Sequence, residues 1–356
     1  MLRTQESYFE KISVKASGTQ KGTKTSIISF FSYCMEKGIE NPLVFMKKSE
    51  ENCFDLLQGW INSKSKNGMS AGAIRQNFSN LKGFLHYMGI KITKEDVRAN
   101  LSFPKQIKEE PFPLQLEHIQ KILEHTAKKK AFYLTLLSSG MRMGEAVQLR
   151  KKDLVLTKER IMIKIPAKIT KTQTGRTTFI SKEAASFLKL KLKNLEDDDL
   201  IFGSNENVDY ARTTEIMTLK RVLQKAGLDE KYDTVNRRKI TLHSFRAYFF
   251  TKATRIHNEN YAHKLTGHGG YLPQYDRLTD DEKLDLYLKL EPELLVYDNS
   301  KKSVEIEKLK NDKLILEKKT LENQSQIDEI ARQGQAIDYL LEELRQLKSD
   351  KSSSQN

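Results

Sequence analysis

Arg142, the pair His243 and Arg246, His268, and the tyrosines Tyr271 and Tyr275 are the side chains whose types and order could do chemistry together in this 356-residue chain. In LLSSGMRMGEAVQLRKKDL, Arg142 follows a turn at Gly140 and precedes a helix predicted to begin near Gly144. An arginine held beside a helix start suits a phosphate. In LHSFRAYFF, His243 and Arg246 lie three apart and so share a helix face. LTGHGGYLPQYDRL supplies His268 and the two tyrosines. Two arginines can neutralise the non-bridging oxygens of a phosphodiester in a pentacoordinate transition state. Histidines near neutral pKa accept or donate protons. A tyrosine hydroxyl, with a pKa of about 10 in isolation, becomes a usable nucleophile among such cationic groups. A lysine on a hairpin can protonate the departing 5′ oxygen. Each motif alone is weak, since a lone helical histidine is more often structural and a lone arginine more often a salt-bridge partner. Together they describe phosphodiester cleavage by a covalent route.

Other chemistries find less support. His118 and His125 sit two turns apart without a carboxylate-rich partner motif, and His257 and His263 lie in a polar stretch. Neither pair matches HExxH or a tight ligand spacing, so no metal site is expected. No GxxxxGK[ST] or GxGxxG occurs, so no nucleotide loop and no cofactor are expected. Cys34 and Cys53 are the only cysteines, too few for a disulfide framework or a thiolate zinc site, and they read as packed small residues in a reducing compartment. No apolar run reaches membrane-spanning length, and MLRTQESYFEKISVKASG lacks the apolar region of a secretory signal. The expected location is cytoplasmic, with the nucleoid.

These residues need a scaffold, and the pattern predicts a mainly α chain with a small β-sheet. Residues 1–105 read as short amphipathic helices. TSIISFFSYCMEKGI carries a wide apolar stripe ended by Gly38; CFDLLQGWINSK follows; then Ser70 caps a helix that buries Ile74, Phe78, Leu81, Leu85 and Met88 and stops at Gly89. Arg75, Lys82 and His86 lie on that helix's polar side, and Asn77, Asn80 and Lys82 are side chains of the kind that touch phosphates and base edges; an ordinary solvated face explains them equally well. Pro104, Pro111 and Pro113 mark a linker, placed at 106–110. A second domain is expected over 111–298, with a hairpin from 161–166 (IMIKIP) to 177–181 (TTFIS) around the basic loop AKITKTQTGR.

Net charge is +14, and residues 301–356 contribute none of it, carrying 11 basic and 11 acidic side chains. Residues 1–105 carry 16 basic against 9 acidic, so both globular parts are basic, as a polyanion touching two domains would require. Nucleic acid is the expected partner. From Ile306 a seven-residue repeat runs through Leu309, Leu316, Asn323, Ile330, Ile337 and Leu344, with a weaker second seam at Ile306, Lys313, Thr320, Ile327, Gly334 and Leu341. A coiled-coil helix is expected over 299–350, with self-association; the alternative is one helix folded back on the second domain. Residues 351–356 are expected to be disordered.

The ordered set Arg, Lys, His-x-x-Arg, His, Tyr resembles the tyrosine recombinase, or phage-integrase, family over about residues 110–298. SGMRMGEAVQL is similar to its first arginine box, carrying Arg142 with Glu145 as the orienting acidic residue; HSFRAYF resembles its HxLRHTF box; LTGHGG its LGH box. KTQTGR resembles its hairpin motif and implies Lys171 as the general acid, with Lys168 as rival. Family members usually place the tyrosine about nine residues past the LGH histidine, where this chain has Arg277. The string YLPQYDRL is similar to archaeal-type integrases, which implies Tyr275 as nucleophile, with Tyr271 second and Tyr287 and Tyr297 as packing residues. The resemblance implies a helical core-binding domain ahead of an α+β catalytic domain, clamping DNA. Arg75, Lys82, Lys168 and Arg176 are the expected DNA contacts. It also implies strand cleavage and rejoining through a 3′-phosphotyrosyl link, without metal or ATP, by four protomers on two duplexes. A type IB topoisomerase or telomere resolvase would use the same residues, and a degenerate accessory DNA-binding protein is the rival of another class.

Overall fold

The computed structural model describes residues 3–156, 159–203, 205–267 and 277–353; at Leu190, at 335, 336, 338, 339 and from 343 onward, only the backbone. The chain divides into two compact units, residues 1–111 with 231–237, and residues 112–230 with 238–356. The first therefore recruits a seven-residue piece from far along the chain: Tyr232 donates its hydroxyl to the Glu110 carbonyl at 3.0 Å.

The first unit holds α1 (Gln5–Lys11), α2 (Ser17–Glu36), α3 (Pro42–Lys48), α4 (Glu50–Lys66), α5 (Ala71–Tyr87) and α6 (Lys94–Asn100). Its helices are longer than the short ones expected, 20 residues for α2 and 17 each for α4 and α5. Ser70 caps α5 as expected, accepting from the Ala73 amide at 3.3 Å. Ile27, Phe30, Trp60, Ile74 and Phe84 are fully buried in one core. Cys34 and Cys53 are free and buried there, and burial pushes their thiols up to about 12 and about 11.

The second unit begins with α7 (Leu116–Glu124), α8 (Lys130–Ser139) and the single turn α9 (Met143–Ala146). Then come β1 (Leu154–Leu156), β2 (Ile161–Ile165) and β3 (Arg176–Ile180), an antiparallel sheet in that order, with Leu154 opposite Ile163 and Ile165 opposite Arg176. The expected hairpin is present to within a residue at each strand, and β1 is an addition. Helices α10 (Lys182–Lys193), α11 (Val208–Lys225), α12 (Leu242–Ile256), α13 (Glu259–Thr266) and α14 (Asp280–Leu290) complete the body. Helix α8 is its centre: every residue from Phe132 to Ser139 is buried. The Tyr133 ring stacks on Phe245 of α12 at 5.5 Å, where aromatic pairing adds to area burial.

Helix α15 (Asp298–Ser353) spans 56 residues, ~84 Å at 1.5 Å per residue. Its base is anchored: buried Arg160 grips fully buried Glu291 at 2.6 Å and Glu307 of α15 at 3.3 Å. Every described side chain from 308 to 334 is exposed, so the helix does not fold back on the domain. It runs to Ser353, past the start of the tail expected to be disordered; residues 354–356 lie outside the described residues. No helix among the described residues is long and apolar enough to cross a membrane.

Candidate active site

Helix α8 ends at Gly140, whose left-handed backbone (φ 61°) turns the chain toward Arg142. The last carbonyls of a helix lack intrahelical donors. Here three in succession receive side chains from three other elements. Tyr287 of α14 donates to Ser138 at 2.8 Å, Thr178 of β3 to Ser139 at 2.7 Å, and Arg246 of α12 to Gly140 at 2.6 Å. The turn is thereby fixed from every side, and Arg246 is fixed with it.

Arg142 sits just before α9. Its amide donates to Glu145 Oε2 at 2.8 Å, its Nη1 to Glu145 Oε1 at 3.0 Å, and its Nη2 to the Gly267 carbonyl at 3.2 Å. Since α9 is one turn long, the helix expected near Gly144 supplies little dipole, which leaves the guanidinium as the group able to receive an anion. Glu145 is buried. Burial alone would raise its carboxyl, but the hydrogen bonds and charge of Arg176, then the Arg142 amide and guanidinium, hold it below the usual range. Glu145 therefore orients Arg142, as expected.

Arg246 is 2% exposed, and burial, then Arg142, then Arg176, push its guanidinium down to about 9. Three guanidiniums around one carboxylate leave an excess of two positive charges. A pentacoordinate phosphoryl group spreads about that much negative charge over its non-bridging oxygens. His243 stands on the first turn of α12, and partial desolvation, then the charges of Arg246 and Arg142, lower its imidazole. The structure thus brings together Arg142, His243 and Arg246 in one electrostatic field.

The other expected catalytic residues are placed less fully. His268, Tyr271 and Tyr275 lie outside the described residues; Gly267, the residue before His268, closes α13 in the left-handed region and bonds Arg142. Lys168 and Lys171 are both exposed between β2 and β3. Lys168 is among the cations that lower the Asp198 carboxyl, behind Lys152 and Arg150.

Among the expected DNA contacts, Arg75 is exposed with its guanidinium 4.8 Å from the Phe103 ring centre, and Lys82 donates to the Thr93 carbonyl at 3.3 Å. Asn77 and Asn80 face α2 instead, both bonded to Ser26 at 3.0 and 3.1 Å. Arg176 is turned inward: its side chain is 7% exposed, and Nε, Nη1 and Nη2 donate to Leu265, Glu145 Oε1 and Glu145 Oε2 at 2.8, 3.0 and 2.6 Å. A phosphate cannot reach it without breaking those bonds. His118, His125 and His257 bond nearby backbone, and no three potential metal-binding groups cluster among the described residues. Sequence reasoning missed the roles of Thr178 and Tyr287, whose partners are backbone carbonyls with no residue signature.

Residues 113–269 match the model of the phage integrase family. The chain is similar to tyrosine recombinase XerD of Rickettsia bellii (strain RML369-C), 25% identical over 64% of this chain and 79% of the relative. It is similar to transposase A from transposon Tn554 of Staphylococcus aureus, 26% identical over 37% of this chain and 35% of the relative, about a third of that protein. In fold it is similar to a lambda integrase seen as a tetramer bound to a Holliday junction, with TM-score 0.53 and 13% identity over 77% of this chain and 78% of that one.

Proposed function

We propose that the chain, whose residues 113–269 match the phage integrase family model, is a tyrosine recombinase of that family: a site-specific recombinase of a mobile element that cuts and rejoins double-stranded DNA. The observation that carries the reading is the Arg142–Arg246 pair, fixed by Glu145 and by the end of α8. Tyr275 attacks the scissile phosphorus, its oxygen bonding to phosphorus while the bond to the 5′ oxygen breaks. A histidine of the set, His243 or His268, takes the phenolic proton, and Lys171 gives one to the departing 5′ oxygen. The product is a 3′-phosphotyrosyl link and a free 5′ hydroxyl. Attack by a partner strand's 5′ hydroxyl reverses the step, and because the link conserves the phosphodiester bond energy, rejoining needs no ATP.

The relatives extend the proposal to assembly. Lambda integrase, named above as a tetramer on a Holliday junction, supports four protomers acting on paired sites. Association through α15 adds to this: its seam residues Leu309, Leu316, Ile327 and Ile330 are exposed on the isolated protomer. The working location is the cytoplasm, at the nucleoid. The likeness to archaeal-type integrases rests on the string 271–277, of which only Arg277 is described.

Covalent trapping tests the reading. On nicked suicide duplexes spanning the ends of its element, the wild-type protein forms a denaturation-resistant DNA adduct, and Tyr275→Phe forms none. Loss in Tyr271→Phe alone keeps the reaction and moves the nucleophile. Tight binding without any adduct would instead mark an accessory DNA-binding protein.

A further inference from the structure

We propose that Arg176, at the start of β3, is a positioning residue for strand cleavage: its buried guanidinium fixes Arg142, through Glu145, and the end of α13 in one arrangement. The role rests on the recombinase reading above.

Arg142 and Arg176 grip the same two objects. Both bond Glu145; Arg142 then reaches the Gly267 carbonyl, and Arg176 the Leu265 carbonyl two residues earlier. The two arginines and the carboxylate therefore tie the Arg142 turn to the chain that continues into His268. Gly267 makes room for this, since a Cβ there would lie 2.9 Å from both Cδ and Nη1 of Arg176.

The charge balance explains why a second arginine is needed. With Arg142 as its only partner, a buried carboxylate would claim that guanidinium in full, turning its donors from a substrate phosphate. Shared between two guanidiniums, Glu145 leaves Arg142 under-neutralised and aimed outward; its side chain is 22% exposed against 7% for Arg176. The planar fork of arginine meets two carboxylate oxygens side by side and a carbonyl from a separate edge, whereas a lysine ammonium brings its three donors from one point without that fixed fork. The strand register adds a further constraint, because Arg176 pairs with Ile165 at the mouth of the loop bearing Lys168 and Lys171.

Two readouts on Arg176→Met and Arg176→Lys test this in the full-length protein. Without DNA, hydrogen exchange should quicken in Arg176→Met at the amides of 142–147 and 265–267, with α4 and α5 unchanged. With DNA, single-turnover adduct formation should fall by roughly 10- to 100-fold, the scale of a misplaced reacting group. DNA affinity and its salt slope should stay at wild-type values, and Arg176→Lys should recover part of the rate. The double variant Arg176→Met/Glu145→Gln removes the buried charge left with Arg142 as its sole arginine partner and guards against a mere folding defect. Unchanged exchange overturns the proposal whether or not the chain recombines DNA. So does weakened binding with a salt slope lower by about one, which is the mark of a phosphate contact. Absence of any wild-type adduct would overturn the recombinase reading and leave the exchange result to decide the role of Arg176.

Discussion

His243 sits on the first turn of α12 near Arg246 and Arg142, whose charges bias its imidazole toward the neutral form. Burial and the two neighbouring guanidiniums disfavour the imidazolium, so its folded pKa lies below the ordinary 6.5. The unfolded chain then takes up this proton first on acidification, and stability falls with pH on the acid side. For reaction, the neutral imidazole persists below its ordinary range. The acid limb of the pH profile of second-order cleavage should therefore be centred below 6.5, and His243→Gln should abolish that limb. A limb centred at the ordinary value would show that the arginines do not act on this histidine. Tyr287 makes the complementary point about aromatic hydroxyls. It is fully buried and donates to Ser138, so Tyr287→Phe should cost about 1–3 kcal/mol in urea unfolding by orphaning that carbonyl. Adduct formation should survive in the residual folded protein, separating this tyrosine from Tyr275.

Elements were legible in the sequence to very different degrees. The apolar periodicity of α4 and α5, the Ser70 cap and the β2–β3 hairpin all follow from local rules that the fold obeys. Strand β1 escaped because three residues, Leu154–Leu156, carry no alternation, and only pairing with β2 makes them a strand. The first half of α2, SGTQKGTKT, hides a helix behind two glycines and no apolar stripe. Within the candidate site, Arg142, His243 and Arg246, which the structure brings into one electrostatic field, could be singled out because phosphodiester chemistry would call for those residue types. The inward turn of Arg176 could not, since an arginine in a basic hairpin reads alike whether it faces solvent or core. Its direction is fixed by β3 register and by α13, elements 80 residues apart in sequence. The cap of α8 was illegible for a deeper reason: Ser138, Ser139 and Gly140 act through carbonyls, which every residue has.

At the scale of the whole molecule, the net basic charge resides in the two globular units, while residues 301–356 are neutral overall and α15 carries a run of exposed apolar side chains from Ile306 to Leu341. The two call for different partners: DNA for the former and, on the reading above, other protomers for the latter. Removing residues 311–356 leaves the Arg160–Glu307 and Lys182–Glu307 contacts in place. The shortened chain should therefore melt within a degree or two of the full one, by differential scanning fluorimetry. In sedimentation the full chain should self-associate without DNA and the shortened chain should not. Identical sedimentation would leave the exposed seam without a second copy as its occupant.

A rod held at its root and free along its length is a cantilever. Any load applied to the far turns of α15 arrives, multiplied by a lever arm of tens of ångströms, as a bending moment on the cluster Arg160, Glu291 and Glu307. Glu291 also accepts from the Lys182 amide at the start of α10, and follows directly on α14, which Tyr287 ties to the Arg142 turn. Tension among tethered protomers would thus be felt first not at the surface but beneath the turn that carries Arg142.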